Sequence, residues 1–305
     1  MKILAITPNG KHDYLAASIL EGLKKYKLDL YCTGIGNGAV NIINDEEFKH
    51  HYKTCDYIFA IWGKCIYNGI PEPKFYLIDD VNGWKKTVYI DGSEYNYTSF
   101  PGLTKDKLHP LFKEKARWYF KRECLPEHID SGVIPLPFAA IKTDFGNFNE
   151  KKQIDVLCAF GQSATGKRKM ATEVCEELKS DGYNIITHHV NDYFRVVNQS
   201  WITIDAHGGG ECNARTFQIP ANNSALFCEK YNIIIPKLTH KHNCIEWNSK
   251  KELKEYICYY LENKLELQTM IKNGYDDVLK YQTYLKRVEY LLNHIKIGEH
   301  GPVYK

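Results

Sequence analysis

The sequence predicts an α/β protein built from two mostly parallel, doubly covered sheets in two domains, closed by C-terminal helices. Three observations predict this. Short, continuously apolar strands alternate with segments of helical periodicity, as in sheets buried on both faces. The alternation stops at a polar stretch near the middle of the chain and then begins again. The length of 305 residues is enough for about two separate cores.

The elements follow in order. Ile3 to Thr7 reads as a strand at the start of the chain. Asp13 to Lys25 has helical spacing, with Leu15, Ile19, Leu20 and Leu23 on one side. Strands are predicted at Asp29 to Thr33, Tyr57 to Trp62, Phe75 to Ile78 and Thr87 to Ile90. A helix is predicted from His109 to Arg122. Val133 to Phe138, with two prolines, reads as a rigid extended connection. The polar residues from Lys142 to Gln153 form the best linker. The second unit opens with Asp155 to Phe160 and a helix from about Lys167 to Lys179. Strands follow near Asn184 to Thr187, Trp201 to Ala206, Ala225 to Cys228 and Ile233 to Ile235. The last fifty or so residues read as helical, and Leu279, Tyr284, Val288, Leu291, Leu292 and Ile295 can pack back across both domains. The expected division is 1–140, a linker at 141–152, a second domain at 153–275 and a closing helical segment at 276–305.

Composition excludes several classes. Hydrophobic residues make up 44% and charged residues 25%, an ordinary globular balance. A net charge of +3 permits an anionic substrate without requiring one. The 10 cysteines form no CxxC pair, and several lie in apolar runs, where cysteine acts as a small hydrophobe. No signal peptide or membrane-length apolar run is apparent, so a reduced, cytoplasmic protein is expected.

The most informative segment is Gly208-Gly209-Gly210-Glu211-Cys212-Asn213-Ala214-Arg215, between a buried strand and a predicted helix start near Asn213. Glycines let backbone amides approach a ligand, and a helix start with a cation on its first turn suits a diphosphate. The plainer reading is an ordinary turn with a solvated arginine. Gly161 to Arg168 also has strand, glycine-rich loop and helix in sequence. It approaches the GxxxxGK[ST] phosphate loop, but Arg168 stands where a hydroxyl would meet magnesium. A nonhydrolytic anion loop fits better, with Gly161, Ser163 and Thr165 near phosphate and Lys167 or Arg168 neutralising it. His207, beside the glycine run, is placed to touch a ligand.

Acid and base candidates lie at strand ends, where open α/β sheets bind ligands. Asp91 ends a strand and is a candidate general base; Glu94 competes with it, and His12 follows the first strand. Turn formation explains Asp91 equally well. Asp79-Asp80 and His188-His189 are acidic and histidine pairs without metal-ligand spacing, and no metal site is predicted. Lys113, Lys115, Arg117, Lys121 and Arg122 interleave with Phe112, Trp118, Tyr119 and Phe120. That pattern suits nucleic acid, or simply a helix with a solvated basic face.

Three blocks carry a family resemblance. They are Asn213 to Ala221, the tail Asn273 to Arg287, and Tyr119 to Glu123 followed by Ile134 to Phe138. In their common order they resemble the spore-maturation-protein-like branch of the family 1 glycosyltransferases. The resemblance implies a GT-B-like fold, two Rossmann-like domains facing a cleft. It implies an acceptor held by residues 1–140 and a nucleotide-sugar donor, UDP- or another NDP-sugar, held by 153–275, with no obligatory cofactor. Arg168 would meet the donor diphosphate and Arg215 the donor phosphate or ribose, with Gly208, Gly209, Gly210 and Glu211 alongside, Gln218 near sugar or ribose, and Glu246 on the nucleotide side. Gln218 stands where retaining relatives often carry Glu, and Gly210 stands eight residues earlier where a second Glu is usual. Gln282 replaces a common histidine. The stereochemical outcome is therefore open. The acceptor is also open between a glycan, a small molecule and hydroxymethylated DNA; a noncatalytic nucleotide-sugar-binding protein is the alternative of a different class.

Overall fold

The computed structural model describes residues 1–8, 13–34, 41–62, 73–93, 115–141, 144–147, 150–160, 166–208 and 210–297. The chain divides into two compact units, residues 1–138 with 284–305, and residues 139–283.

In the first unit, β1 (Lys2–Ile6), β2 (Asp29–Cys32), β3 (Tyr57–Trp62), β4 (Thr87–Asp91), β5 (Trp118–Lys121) and β6 (Val133–Pro135) form one parallel sheet. Its order is β2-β1-β3-β4-β5-β6. Nearly every residue of β1, β3 and β4 is buried, which explains their unbroken apolar runs. Helix α1 (Tyr14–Lys24) begins at Asp13, whose carboxylate accepts from the Ala16 amide. Helix α2 (Asp45–Tyr52) opens with a capping box of Asn44 and Glu47. Helices α3 (Tyr76–Asp80) and α4 (Pro126–Ile129) are short.

The second unit holds β7 (Ile154–Leu157), β8 (Ile185–Ile186), β9 (Ser200–Asp205), β10 (Ala225–Glu229) and β11 (Cys244–Trp247). All pair in parallel, in the order β11-β10-β9-β7-β8. The helices are α5 (Gly166–Ser180), α6 (Tyr193–Asn198), α7 (Arg215–Ala221), α8 (Lys250–Glu262) and α9 (Lys264–Tyr281). One core joins Val156, Ile202, Ile204 and Phe227 to Val174 and Leu178 of α5, Ile257 of α8 and Met270 of α9.

Helix α10 (Tyr284–Ile297) returns to the first unit and packs on α1. The two helices approach closely at Gly22, where an added Cβ would lie 2.7 Å from Val288 Cγ2. Arg287 is fully buried and donates to the Pro137 and Phe138 carbonyls, each at 3.1 Å.

Three expected elements differ. Phe75 to Ile78 is not a strand: residues 76–80 are helical, and buried Phe75, Leu77 and Ile78 present a helix-sized apolar face to α2. Of the helix expected from His109 to Arg122, residues 109–114 lie outside the described residues, and residues 118–121 are instead the parallel strand β5, because the aromatic run fills a sheet position beside β4. Lys121 and Arg122 are therefore buried, not part of a solvated basic face. The run Ile233 to Ile235 is not a strand. The outer position of that sheet goes to β11, whose Cys244 and Ile245 are fully buried.

Candidate functional site

In the second sheet the order reverses at β7, which lies between β8 and β9. In open parallel sheets the crevice beyond the carboxyl ends of the strands at such a switch point is where ligands bind. The segments leaving β7 and β9 are residues 158–165 and 206–214, the two glycine-containing stretches. Gly161, Ser163 and Thr165 of the first, and Gly209 of the second, lie outside the described residues.

Two guanidinium groups meet there over one aromatic ring. The Phe160 ring lies 5.5 Å from Arg168 Cζ and 5.4 Å from Arg215 Cζ. Cations at that distance are attracted to the ring face. Arg168, on the first turn of α5, also donates to the Ala206 carbonyl at 3.4 Å. Gly208 leaves room for this: a Cβ on it would come within 2.7 Å of Arg168 Nη2. The Gly208 amide closes the turn onto the Gly210 carbonyl at 2.9 Å.

Arg215 opens α7. It donates to the Ala159 carbonyl at 3.5 Å and pairs with Asp205 at 3.4 Å. Asp205 is the last residue of β9 and only 1% exposed. Its oxygens also accept from Asn213 Nδ2 at 3.1 and 3.2 Å and from Thr216 Oγ1 at 3.2 Å. Thr216 in turn meets the Tyr231 hydroxyl at 3.0 Å. Burial drives the Tyr231 pKa well above its ordinary value, so this phenol stays protonated. Asn213 Oδ1 caps the Arg215 amide at 2.8 Å. A buried carboxylate, shielded from solvent, thus holds the guanidinium of Arg215, leaving 24% of that side chain exposed.

A second carboxylate does the same for the neighbouring residues. Glu229, at the end of β10, accepts from the His207 amide at 3.0 Å and lies 3.5 Å from His207 Nδ1. Its other oxygen is 4.0 Å from Lys167 Nζ. Lys167 also reaches the Asn248 side chain and carbonyl, and lies 5.6 Å from the Trp247 ring. The His207 ring rests against Tyr231. Its Nε2 is buried with no partner among the described residues. A buried, unmade polar group in a crevice is a natural contact for ligand.

The other expected residues have different surroundings. Glu211 accepts from the Asn232 amide at 2.6 Å, from Asn232 Nδ2 at 3.0 Å and from the Ile233 amide at 3.2 Å, so it ties two loops together. Gln218 Nε2 donates to Asp144 at 3.2 Å. Glu246 lies on β11, in register with Cys228 and, through it, with Asp205. It is therefore level with the strand ends but two strand spacings, roughly 10 Å, from β9.

In the first unit, Asp91 ends β4 and is buried. It accepts from Tyr119 at 2.7 Å, from Lys121 at 2.9 Å and from the Ser93 amide at 2.9 Å. Burial alone would raise its pKa, but the Lys121 charge and these hydrogen bonds outweigh it and bring the pKa to about 2. A carboxylate so stabilised is a weak proton acceptor. Beside it, Arg122 and Glu123 form a second buried pair at 3.0 Å. His12 and Glu94 lie outside the described residues, as does Lys113. Lys115 pairs with Asp79 at 3.4 Å, and Arg117 lies over Trp118. Among the described residues there is no cluster of three or more metal-ligating side chains, and no helix is long and apolar enough to cross a membrane.

Phe160, Asp205 and Glu229 were not anticipated. The signal existed for the two carboxylates: each is a charged residue closing a continuously apolar strand, the same pattern that singled out Asp91.

Residues 172–293 match a family model described as glycosyl transferase-like. No curated protein matches the sequence significantly. Several solved structures share the fold at low identity. Anabaena HepE, in complex with UDP and glucose, is 10% identical, with a TM-score of 0.66 over 97% of this chain and 100% of that one. An alpha-glucosyltransferase bound to UDP-glucose and DNA containing an abasic site is 10% identical, with a TM-score of 0.60 over 97% and 99%. MnaA of S. aureus, with UDP, is 12% identical, with a TM-score of 0.51 over 100% of both chains. The likeness shows the fold: two Rossmann-like α/β domains.

Proposed function

We propose that this protein is a nucleotide-sugar-dependent glycosyltransferase whose donor diphosphate sits on Arg168 and Arg215. The observation that carries this is the pair of guanidiniums on Phe160 at the switch point of the second sheet. The glycosyl transferase-like match over residues 172–293 includes Arg215, though not Arg168, and supports the reading. UDP in the fold neighbours supports UDP as the nucleotide. The three sequence blocks support the spore-maturation-like branch of the family.

The chemistry follows from charge. Transfer breaks the bond between the anomeric carbon and the diphosphate oxygen, and forms one to an acceptor oxygen, which gives up its proton. Negative charge grows on the leaving diphosphate. Two preorganised guanidiniums stabilise that charge more than they stabilise the ground state. Asp205 holds one of them in place, so little reorganisation is needed. His207 Nε2 is available to hydrogen-bond the donor. Because Asp91 is committed to Lys121, Tyr119 and Ser93, the proton acceptor is assigned to Glu94 or His12.

The test is a mass-resolved transfer assay across a nucleotide-sugar panel, with small glycans, unmodified DNA and hydroxymethylated DNA as acceptors. A sugar-sized mass gain is expected. The DNA-bound neighbour favours including the last acceptor as a second reading. Donor binding with neither transfer nor hydrolysis would favour a noncatalytic sensor. Failure to bind any donor would overturn the proposal.

A further inference from the structure

The sheet of the second unit has an opposite edge, where its strands begin. A groove of about 730 Å³ lies there, against α9. Sites for small molecules commonly fall between about 300 and 1,000 Å³. It is lined by Lys152 before β7, Trp201 on β9, Asn223 before β10, and Gln268, Thr269 and Asn273 of α9. The six residues of β9 separate it from the carboxyl edge by roughly 17 Å.

Asn223 is the unusual member. It is 3% exposed, and both its Oδ1 and Nδ2 are buried without a hydrogen-bond partner among the described residues. Its φ is 59°, a conformation that asparagine and glycine adopt most readily. Native proteins rarely leave both ends of a buried amide unmade.

Most of the neighbouring charges are already satisfied, and Lys151, which also lines the groove, is exposed. Lys152 Nζ donates to the Asn198 and Asn223 carbonyls, and burial pushes its pKa down to about 7. Lys272 pairs with Asp276, and Glu150 accepts from Gln199. Besides Lys151 and the apolar Leu265 and Ile271, what is left along the groove is amide, hydroxyl and indole. An amide offers one acceptor beside one donor, which matches two adjacent hydroxyls of a sugar. An indole face suits the C–H face of a pyranose, and Lys264 Nζ lies 5.0 Å from that ring.

We propose that this groove binds a neutral saccharide, with adjacent hydroxyls on the Asn223 amide and a sugar ring against Trp201, separately from the donor site. The saccharide is either a free sugar or a unit of a longer glycan.

The experiment is saturation-transfer NMR on the full chain held in saturating UDP. The probes are glucose, galactose, mannose, N-acetylglucosamine, maltohexaose and cellohexaose. Saturation of sugar protons is expected, with a loss of at least about fivefold in Asn223→Gly, which keeps the positive φ. Gln268→Ala, on a helix surface, serves as the second variant if Asn223→Gly fails to fold. Signals from the monosaccharides identify a free sugar; signals from the hexaoses alone identify a glycan. Absence of transfer to every probe overturns the proposal. So does transfer that neither variant reduces, and so does phosphate-31 broadening of inorganic phosphate that Asn223→Gly abolishes. UDP binding is read in the same samples, so failure of the groove and failure of the donor site are distinguishable.

Discussion

Replacing Arg215 by alanine tests the donor site directly. The guanidinium is anchored to Asp205 at 3.4 Å and retains 24% exposure toward the crevice. A charge-assisted hydrogen bond from such a group to phosphate contributes about 1–3 kcal/mol. At 25 °C that is roughly a 5- to 160-fold loss of UDP affinity. The loss depends on phosphate, so uridine should bind the variant as it binds the parent. Arg215→Lys keeps the charge but not the planar fork, and should fall between. Titration calorimetry with UDP, UMP and uridine reads all three. Thermal unfolding checks that the Asp205 cluster survives, since Asn213 and Thr216 still donate to it. Unchanged UDP affinity in a folded variant would refute the placement of the diphosphate. Equal weakening of UDP and uridine would refute it too, because it would signal distortion or a contact to the nucleoside.

Other outcomes test the first unit. Asp91 has a pKa of about 2, against about 3.9 unfolded, so between those values the unfolded chain binds the extra proton. The ion pair's stabilisation of about 2–3 kcal/mol is present above pH 4 and is lost as pH falls toward 2. Asp91→Asn should lower urea stability at pH 7 by about 3 kcal/mol and flatten that acid dependence; an unchanged acid profile would remove Asp91 from the account. Lys121→Met should lower the melting temperature without changing the salt slope of any DNA association, since its ammonium is spent on Asp91. A reduced slope in a folded variant would contradict its burial. Arg287→Met leaves two buried carbonyls unmade and should cost about 2–4 kcal/mol in chemical denaturation; a cost below 1 kcal/mol would mean water replaces it.

Strand runs such as Ile58 to Ile61 and Ile202 to Ile204 were legible because both faces of each sheet are covered, which makes the run continuously apolar. The same signal misled at Ile233 to Ile235, whereas at Trp118 to Phe120 a helix was expected although the aromatic run is a strand. Apolar continuity does not distinguish strand from helix or loop over three or four residues. The two glycine-containing stretches at the switch point were legible from glycines and cations following strands. Phe160 was not, since a phenylalanine closing an apolar run looks like core. Asp91 was legible as a strand-end carboxylate, but its partner Lys121 lies on the neighbouring strand. Only the pairing of β4 with β5 reveals the ion pair.

The route of the chain between its units bears on how it is made. Residues 139–283 are contiguous, whereas the other unit joins residues 1–138 to a helix synthesised after them. Until α10 emerges, α1 lacks the cover of Tyr284 and Val288 over Gly22, and the Pro137 and Phe138 carbonyls lack Arg287. Domains fold as units during synthesis. The later-made unit can therefore finish first, while the earlier one waits, with an apolar helix face open to chaperones, for its closing segment.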